Sequence, residues 1–156
     1  MLRSILVALD GSGSSVRASQ VAIQLASQYG AHVEGLGIVN SGWIQRPEPV
    51  PIGGMALKVA LDLSRLGTAK KRVDRVVENF RAQVANAGLP SHEVRSAEGN
   101  PPQLVANEAR AHDLVALGRG TENRQRAIDA LQIARARLSC GNAISTAFLR
   151  VVPQAF

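Results

Sequence analysis

The stretch Ile5-Leu6-Val7-Ala8-Leu9-Asp10-Gly11-Ser12-Gly13-Ser14-Ser15 runs an apolar segment straight into one acid and a Gly/Ser loop. Five uninterrupted apolar residues suit a strand covered on both faces, as in a parallel sheet, rather than the alternation of a half-exposed strand. The loop that follows presents backbone N–H groups and hydroxyls at the start of a helix, where anions bind. In a parallel α/β domain a nucleotide commonly sits at such a place.

Outward from this turn, the chain alternates between helical and strand patterns. Ala18, Val21, Ala22, Leu25, Ala26 and Tyr29 recur at helical spacing, Ser14 or Ser15 is expected to cap the start, and Gly30 suits the stop. A second strand is predicted over His32 to Val39, with Gly35 and Gly37 where a neighbour approaches closely, ending at the turn Asn40-Ser41-Gly42. Residues 43–67 then read as a long excursion, from Pro47, Pro49 and Pro51 through Gly53-Gly54 into an apolar Met55 to Leu66 stretch with room for a short helix. It leaves the C-terminal end of a strand, where ligands bind in α/β folds, and a loop of this length reads as either a functional lid or a mobile segment. For Trp43 a packing role is favoured over covering a bound base.

A strong helix is expected next, with Val73, Val76, Val77, Phe80 and Val84 on one face and Gly88-Leu89-Pro90 as its stop. Lys70-Lys71-Arg72 falls at its N-terminal end, against the macrodipole, and reads as a solvated face. The third strand, His92 to Ala97, has only Val94 clearly apolar and suits a sheet edge. Asn100 and Pro101 open a helix continuing through Leu104, Val105 and Ala109, and Asp113 to Leu117 forms an apolar fourth strand ending in Gly118-Arg119-Gly120-Thr121. This alternation predicts an α/β fold with a parallel sheet, strand order 3-2-1-4-5 and helices on both faces. Asp10 and Gly118 then face one crevice at the switch point.

The composition of 156 residues, 46% hydrophobic and 19% charged, fits one domain over residues 1–156. No signal-like segment or membrane-length apolar run is found, so the expectation is a cytoplasmic protein without a membrane partner. Cys140 alone permits no internal disulfide. Of the net charge of +6, four charges come from the last quarter, where Arg119, Arg124, Arg126, Arg135, Arg137 and Arg150 face only Glu122 and Asp129. With 3% aromatic residues and no basic stripe, nucleic acid is not an expected partner. His32, His92 and His112 are expected to be exposed and unpartnered, and no triad, metal cluster or carboxylate pair appears. Ala127, Ile128, Leu131, Ala134 and Leu138 have helical spacing, and Ala147 to Val152 supplies a last strand. The arginine-rich composition of 121–156 differs from all that precedes it; native divergence and a shifted reading frame would both produce it.

Three segments together carry a family likeness: Ile5-Leu-Val-Ala-Leu-Asp-Gly-Ser12 with Arg17-Ala18 in the next helix, Gly99-Asn-Pro-Pro102, and Asp113-Leu-Val-Ala-Leu-Gly-Arg-Gly120. Over residues 1–121 the chain resembles a universal stress protein. The resemblance implies a flavodoxin/Rossmann-like, three-layer domain of the adenine-nucleotide-binding type, ATP with Mg as the expected ligand, a homodimer through the last strand, and no reaction of its own. It places Asp10 near the ribose and phosphates, with Ala8, Gly11 and Ser12 around it, Val39 against adenine, and Gly118, Arg119 and Gly120 at the phosphates. The family's phosphate pattern, Gly-x2-Gly-x9-Gly-[Ser/Thr], is broken here: Thr121 and Leu131 stand at its second and third glycine positions. Gly120 replaces the second glycine only if the loop shifts by one residue. Glycines in that pattern let backbone N–H groups reach phosphate oxygens, so their loss predicts weakened ATP binding. Two other readings compete. An ATP-pyrophosphatase-type enzyme needs adjacent glycines and an internal acid that the Asp10–Ser15 loop lacks. A phospho-receiver domain needs clustered acids where only Asp10 stands.

Overall fold

A computed structural model describes residues 2–118 and the backbone of 147–149. Strand β1 (Ser4–Leu9) leads into helix α1 (Gly13–Tyr29) and strand β2 (His32–Val39). Then come a one-turn helix α2 (Ser41–Ile44), the long helix α3 (Met55–Asn86), strand β3 (His92–Glu98), helix α4 (Pro101–Glu108) with a 3-10 turn to Ala111, and strand β4 (Leu114–Ala116). The backbone of β5 (Ala147–Leu149) pairs in parallel with β4. The sheet is parallel throughout with the order β3-β2-β1-β4-β5, as the alternation predicted. β3 stands at the edge, and β1 at the centre is buried over Ile5, Leu6 and Val7.

Alternate residues of the central strands feed two cores, because successive side chains in a strand point to opposite faces. Ile5, Val7, Leu9 and Val33 pack with Ala18, Ala22 and Ala26 of α1 and Val77, Phe80 and Val84 of α3. Leu6, Leu36 and Val115 pack on the other face with Val105, Ala106 and Ala109. The two glycines of β2 set how closely α3 lies. A Cβ at Gly35 would stand 2.4 Å from the Phe80 ring, and one at Gly37 would stand 2.7 Å from Val77 Cγ2.

Helix α1 ends as expected, with Gly30 at φ +64° and its N–H bonded to the Ala26 carbonyl. Its cap is Ser12 rather than Ser14 or Ser15. Ser12 Oγ accepts from Ser15 N at 3.1 Å, and the positive φ of Gly11 (+75°) turns the chain so that the helix is capped two residues before Ser14.

The 43–67 excursion is shorter than the sequence implied. Irregular chain occupies residues 46–54, and Met55 to Gly67 forms the beginning of the 32-residue α3. Met55, Leu57, Val59, Leu61 and Leu63 alternate like a strand, but Leu, Ala, Lys and Met are strong helix formers and no described strand pairs with them. Lys70-Lys71-Arg72 therefore lies within α3, clear of the unfavourable helix start, and Lys70 reaches Glu98 at 2.8 Å. Gly67 sits exposed in the helix interior, and a Cβ there meets nothing within 4 Å. Gly67→Ala is expected to raise folding stability by about 0.5–1 kcal/mol, read from urea unfolding.

Side-chain bonds fix the N-terminal ends of the strands. Asp113 Oδ2 accepts from Arg3 N at 2.7 Å and Ser4 N at 3.1 Å, tying the start of β1 to the lead-in of β4. Those bonds, the one from Arg3 foremost, hold its carboxyl below the ordinary aspartate value of 3.8. A carboxylate depressed in the folded state adds stability above its unfolded value, and that stability is lost as pH falls through the lower folded value. Asp113→Asn is expected to lower the melting temperature at neutral pH and to shrink the wild-type advantage progressively below about pH 4.

A second network joins β2, β3 and α4. Glu34, 8% exposed, accepts from Arg95 Nη2 at 2.7 Å and faces His112 Nε2 at 3.2 Å. Arg95 also reaches Glu108 Oε2 at 2.8 Å. Its guanidinium is raised above its ordinary value by the bond to Glu108 first and by Glu34, against the opposing effect of burial.

Candidate functional site

The site is built at the C-terminal edge of three adjacent strands. Leu9 pairs with Gly37 of β2, and Val7 pairs with Ala116 of β4. Asp10 therefore emerges between Val39, two residues past Gly37, and Gly118, two residues past Ala116. These registers bring Asp10, Gly11, Ser12, Val39 and Gly118 to the same C-terminal edge of the sheet. Arg119, Gly120 and the rest of the phosphate run lie outside the described residues.

The turn is held by its own side chains. Asp10 Oδ1 accepts from Ser12 N at 2.7 Å, and Ser12 Oγ lies 3.0 Å from Ser14 Oγ. Ser15 Oγ donates to the Ala8 carbonyl at 3.2 Å and accepts from Asp10 N at 3.3 Å. Ala8 thus contributes its backbone to the turn. Asp10 Oδ2 has no donor among the described residues, so one carboxylate oxygen remains for a hydroxyl. Gly11 and Gly13 are exposed, and a Cβ on Gly13 would meet nothing within 4 Å. The first turn of α1 directs its amide dipoles at this edge.

Gly118 has a packing duty that its place in a phosphate motif does not suggest. It is buried, and a Cβ there would lie 2.6 Å from Ser15 N and 2.9 Å from Ser14 Oγ. The end of β4 is thereby pressed against the start of α1. On the other flank Gly99 N donates to the Val39 carbonyl at 3.0 Å, joining the end of β2 to the Gly99-Asn100 turn.

Trp43 is neither packed nor folded over the turn. It is 60% exposed on α2, three residues past Asn40, with the Arg46 guanidinium 4.3 Å from its ring centroid. A cation–π partner and the short helix, capped by Asn40 Oδ1 accepting from Trp43 N, hold it just past the end of β2. All three histidines have partners, against expectation. His32 Nδ1 meets Ser91 Oγ at 2.8 Å, His92 Nδ1 meets the Leu89 carbonyl at 3.1 Å, and His112 is buried against Glu34 and the Glu108 carbonyl. The Glu34–Arg95 contact had no sequence signal, because a lone acid in a small-residue strand resembles a surface position.

Among the described residues no group of three metal-ligating side chains occurs, and no helix is long and apolar enough to cross a membrane. A cavity of about 290 Å³ lies beside the turn, between α1 and α3, lined by Gly11, Ser15, Val76 and Gln83 among others.

A parallel sheet with this strand order, and a Gly/Ser turn at its central strand end, defines a doubly wound α/β protein whose switch point falls between β1 and β4. The family model of the universal stress protein family matches residues 1–130, and the chain belongs to that family. Solved structures agree on the fold. Universal stress protein UspA from Lactobacillus plantarum superposes with a TM-score of 0.63 at 17% identity, covering 96% of this chain and 98% of that one. A universal stress family protein from Burkholderia pseudomallei gives 0.64 at 20%, covering 95% and 96%. A universal stress protein solved in complex with cAMP gives 0.53 at 18%, covering 95% and 96%. No curated protein matches the chain.

Proposed function

We propose that this chain is a non-enzymatic stress-response protein that binds an adenine nucleotide at the C-terminal edge of β1, β2 and β4. The carrying observation is the Asp10–Ser15 turn, in which one carboxylate oxygen fixes the loop and the other is left for a ribose hydroxyl. Val39 borders the adenine end, and the start of α1 faces the phosphate end. The neighbour solved with cAMP supports an adenine ligand of this general kind. Asp10 is the single carboxylate in the turn, so a Mg²⁺ ion in this crevice would arrive with the phosphates, whose oxygens suit it, rather than being held by the chain.

The broken glycine pattern shapes the expected selectivity. In this reading Asp10 and Val39 serve the ribose and base, while the run after Gly118 lacks the second and third glycines of the phosphate pattern in register. AMP, ADP and ATP are therefore expected to bind within roughly tenfold of one another, a spread of about 1.4 kcal/mol. The chain's single tryptophan reports on this directly, since Trp43 stands at the β2 end of the crevice. Titration with AMP and ATP is expected to change Trp43 fluorescence saturably with similar midpoints. An ATP midpoint a hundredfold below that of AMP would mean that a working phosphate cradle exists after all. Cytoplasmic location and pairing of copies through the last strand belong to the same reading.

A further inference from the structure

The start of α3 carries an apolar surface that no other described residue covers. Met55, Leu57, Val59, Leu61 and Leu63 are 47–65% exposed, and Ile52 just before them is wholly exposed. Lys58, Asp62, Leu66 and Ala69 are the less exposed positions of this stretch, and their i, i+4 and i, i+3 spacing places them on one side of the helix. Lys58 and Asp62 pair with each other there. The remainder of the circumference is apolar from Met55 to Leu63. A helix apolar on nearly all sides is normally a buried one.

We propose that this stretch is an interface with a second copy of the chain, the two α3 starts packing antiparallel about a two-fold axis at Ala60. Charge decides the kind of partner. Residues 49–64 contain no charged side chain besides the mutually paired Lys58 and Asp62, so an acidic or basic partner finds nothing to match, and a surface as neutral as itself fits. Spacing decides that the partner is the same chain. Leu57 and Leu61 flank one side of the outward line through Ala60, and Val59 and Leu63 flank the other. Under antiparallel two-fold pairing, like flanks face each other. Leu57 and Leu61 then stand three residues before and one after the axis, and their copies three after and one before, so the four leucines interleave without coincidence. Val59 and Leu63 interleave in the same way on the other flank. Ala60 at the centre lets the helices approach closely. A lipid surface suits this stretch less, because an interfacial helix carries a strongly charged face. The contact uses neither the crevice nor the last strand.

Sedimentation equilibrium of the full chain, with Leu57→Glu/Leu61→Glu beside it, tests the proposal. Both residues are exposed, so the variant is expected to keep its circular dichroism and melting temperature while the mass of the assembly falls by half. Ala60→Cys in a Cys140→Ser background is expected to form an intermolecular disulfide on oxidation, the axis bringing the two Cα atoms within the ~4–7 Å a disulfide spans. Lys71→Cys in the same background is expected to form none. A wild-type monomer at 100 micromolar, a mass unchanged by the glutamates, or a monomer that sediments with anionic vesicles would each overturn the proposal.

Discussion

Replacing Phe80 by alanine is expected to cost about 3–5 kcal/mol of folding stability, the range for emptying a buried aromatic site. Phe80 is 1% exposed and sits where α3 meets β1 and β2. Its ring occupies the space that a side chain at Gly35 would need, with Cε1 and Cδ1 at 2.4 and 2.5 Å from a Cβ built there. Gly35→Ala is therefore expected to destabilise as well, by about 1–3 kcal/mol, since the ring has no free volume into which to retreat. The two effects share one space and should not add. In a Phe80→Leu background the cost of Gly35→Ala is expected to fall by at least half, measured by a double-mutant cycle in urea. Equal costs in both backgrounds would show that α3 is not held against β2 by this contact.

Glu34→Ala is expected to cost about 2–4 kcal/mol. The loss leaves Arg95 and the buried His112 facing a site from which their shared carboxylate has gone, and removing one member of a buried ion pair is far costlier than replacing the whole pair. Arg95 retains Glu108 and is partly exposed, which places the expected cost below the top of the usual range. Glu34→Gln keeps an acceptor for Arg95 and is expected to lose less than half as much. Because the network joins β2, β3 and α4 on the face away from α3, its loss should leave the Phe80 cycle unchanged.

The sheet was legible in the sequence because its signal is local. Ile5 to Leu9 is continuously apolar, as only a doubly covered strand needs to be, and the polar His92 to Glu98 strand is correctly an edge. Gly30 and Gly88 marked helix ends, and both adopt positive φ. What the sequence concealed depends on distant partners. Glu34 is a buried acid only because Arg95, 61 residues later, lies beside it. Gly118 reads as a loop glycine, although the start of α1 presses against it. The start of α3 was obscured by apolar alternation and by Gly67, two local signals that outweighed good helix propensity on paper and not in the folded chain. Of the residues expected at the site, the strand order brings Asp10, Val39 and Gly118 to one edge of the sheet, and Arg119 and Gly120 fall outside the described residues. Trp43 shows the limit of composition as a guide. Its size suggested burial, and a neighbouring arginine holds it in solvent instead.

Titration calorimetry with AMP and Mg-ATP on the wild type and on Asp10→Ala tests the central claim most directly. Binding of both nucleotides at one site per chain, with affinities within about tenfold of each other and no saturable heat for Asp10→Ala, is the predicted result. Nucleotide binding that survives Asp10→Ala unchanged, or no heat from the wild type at millimolar nucleotide, would contradict it.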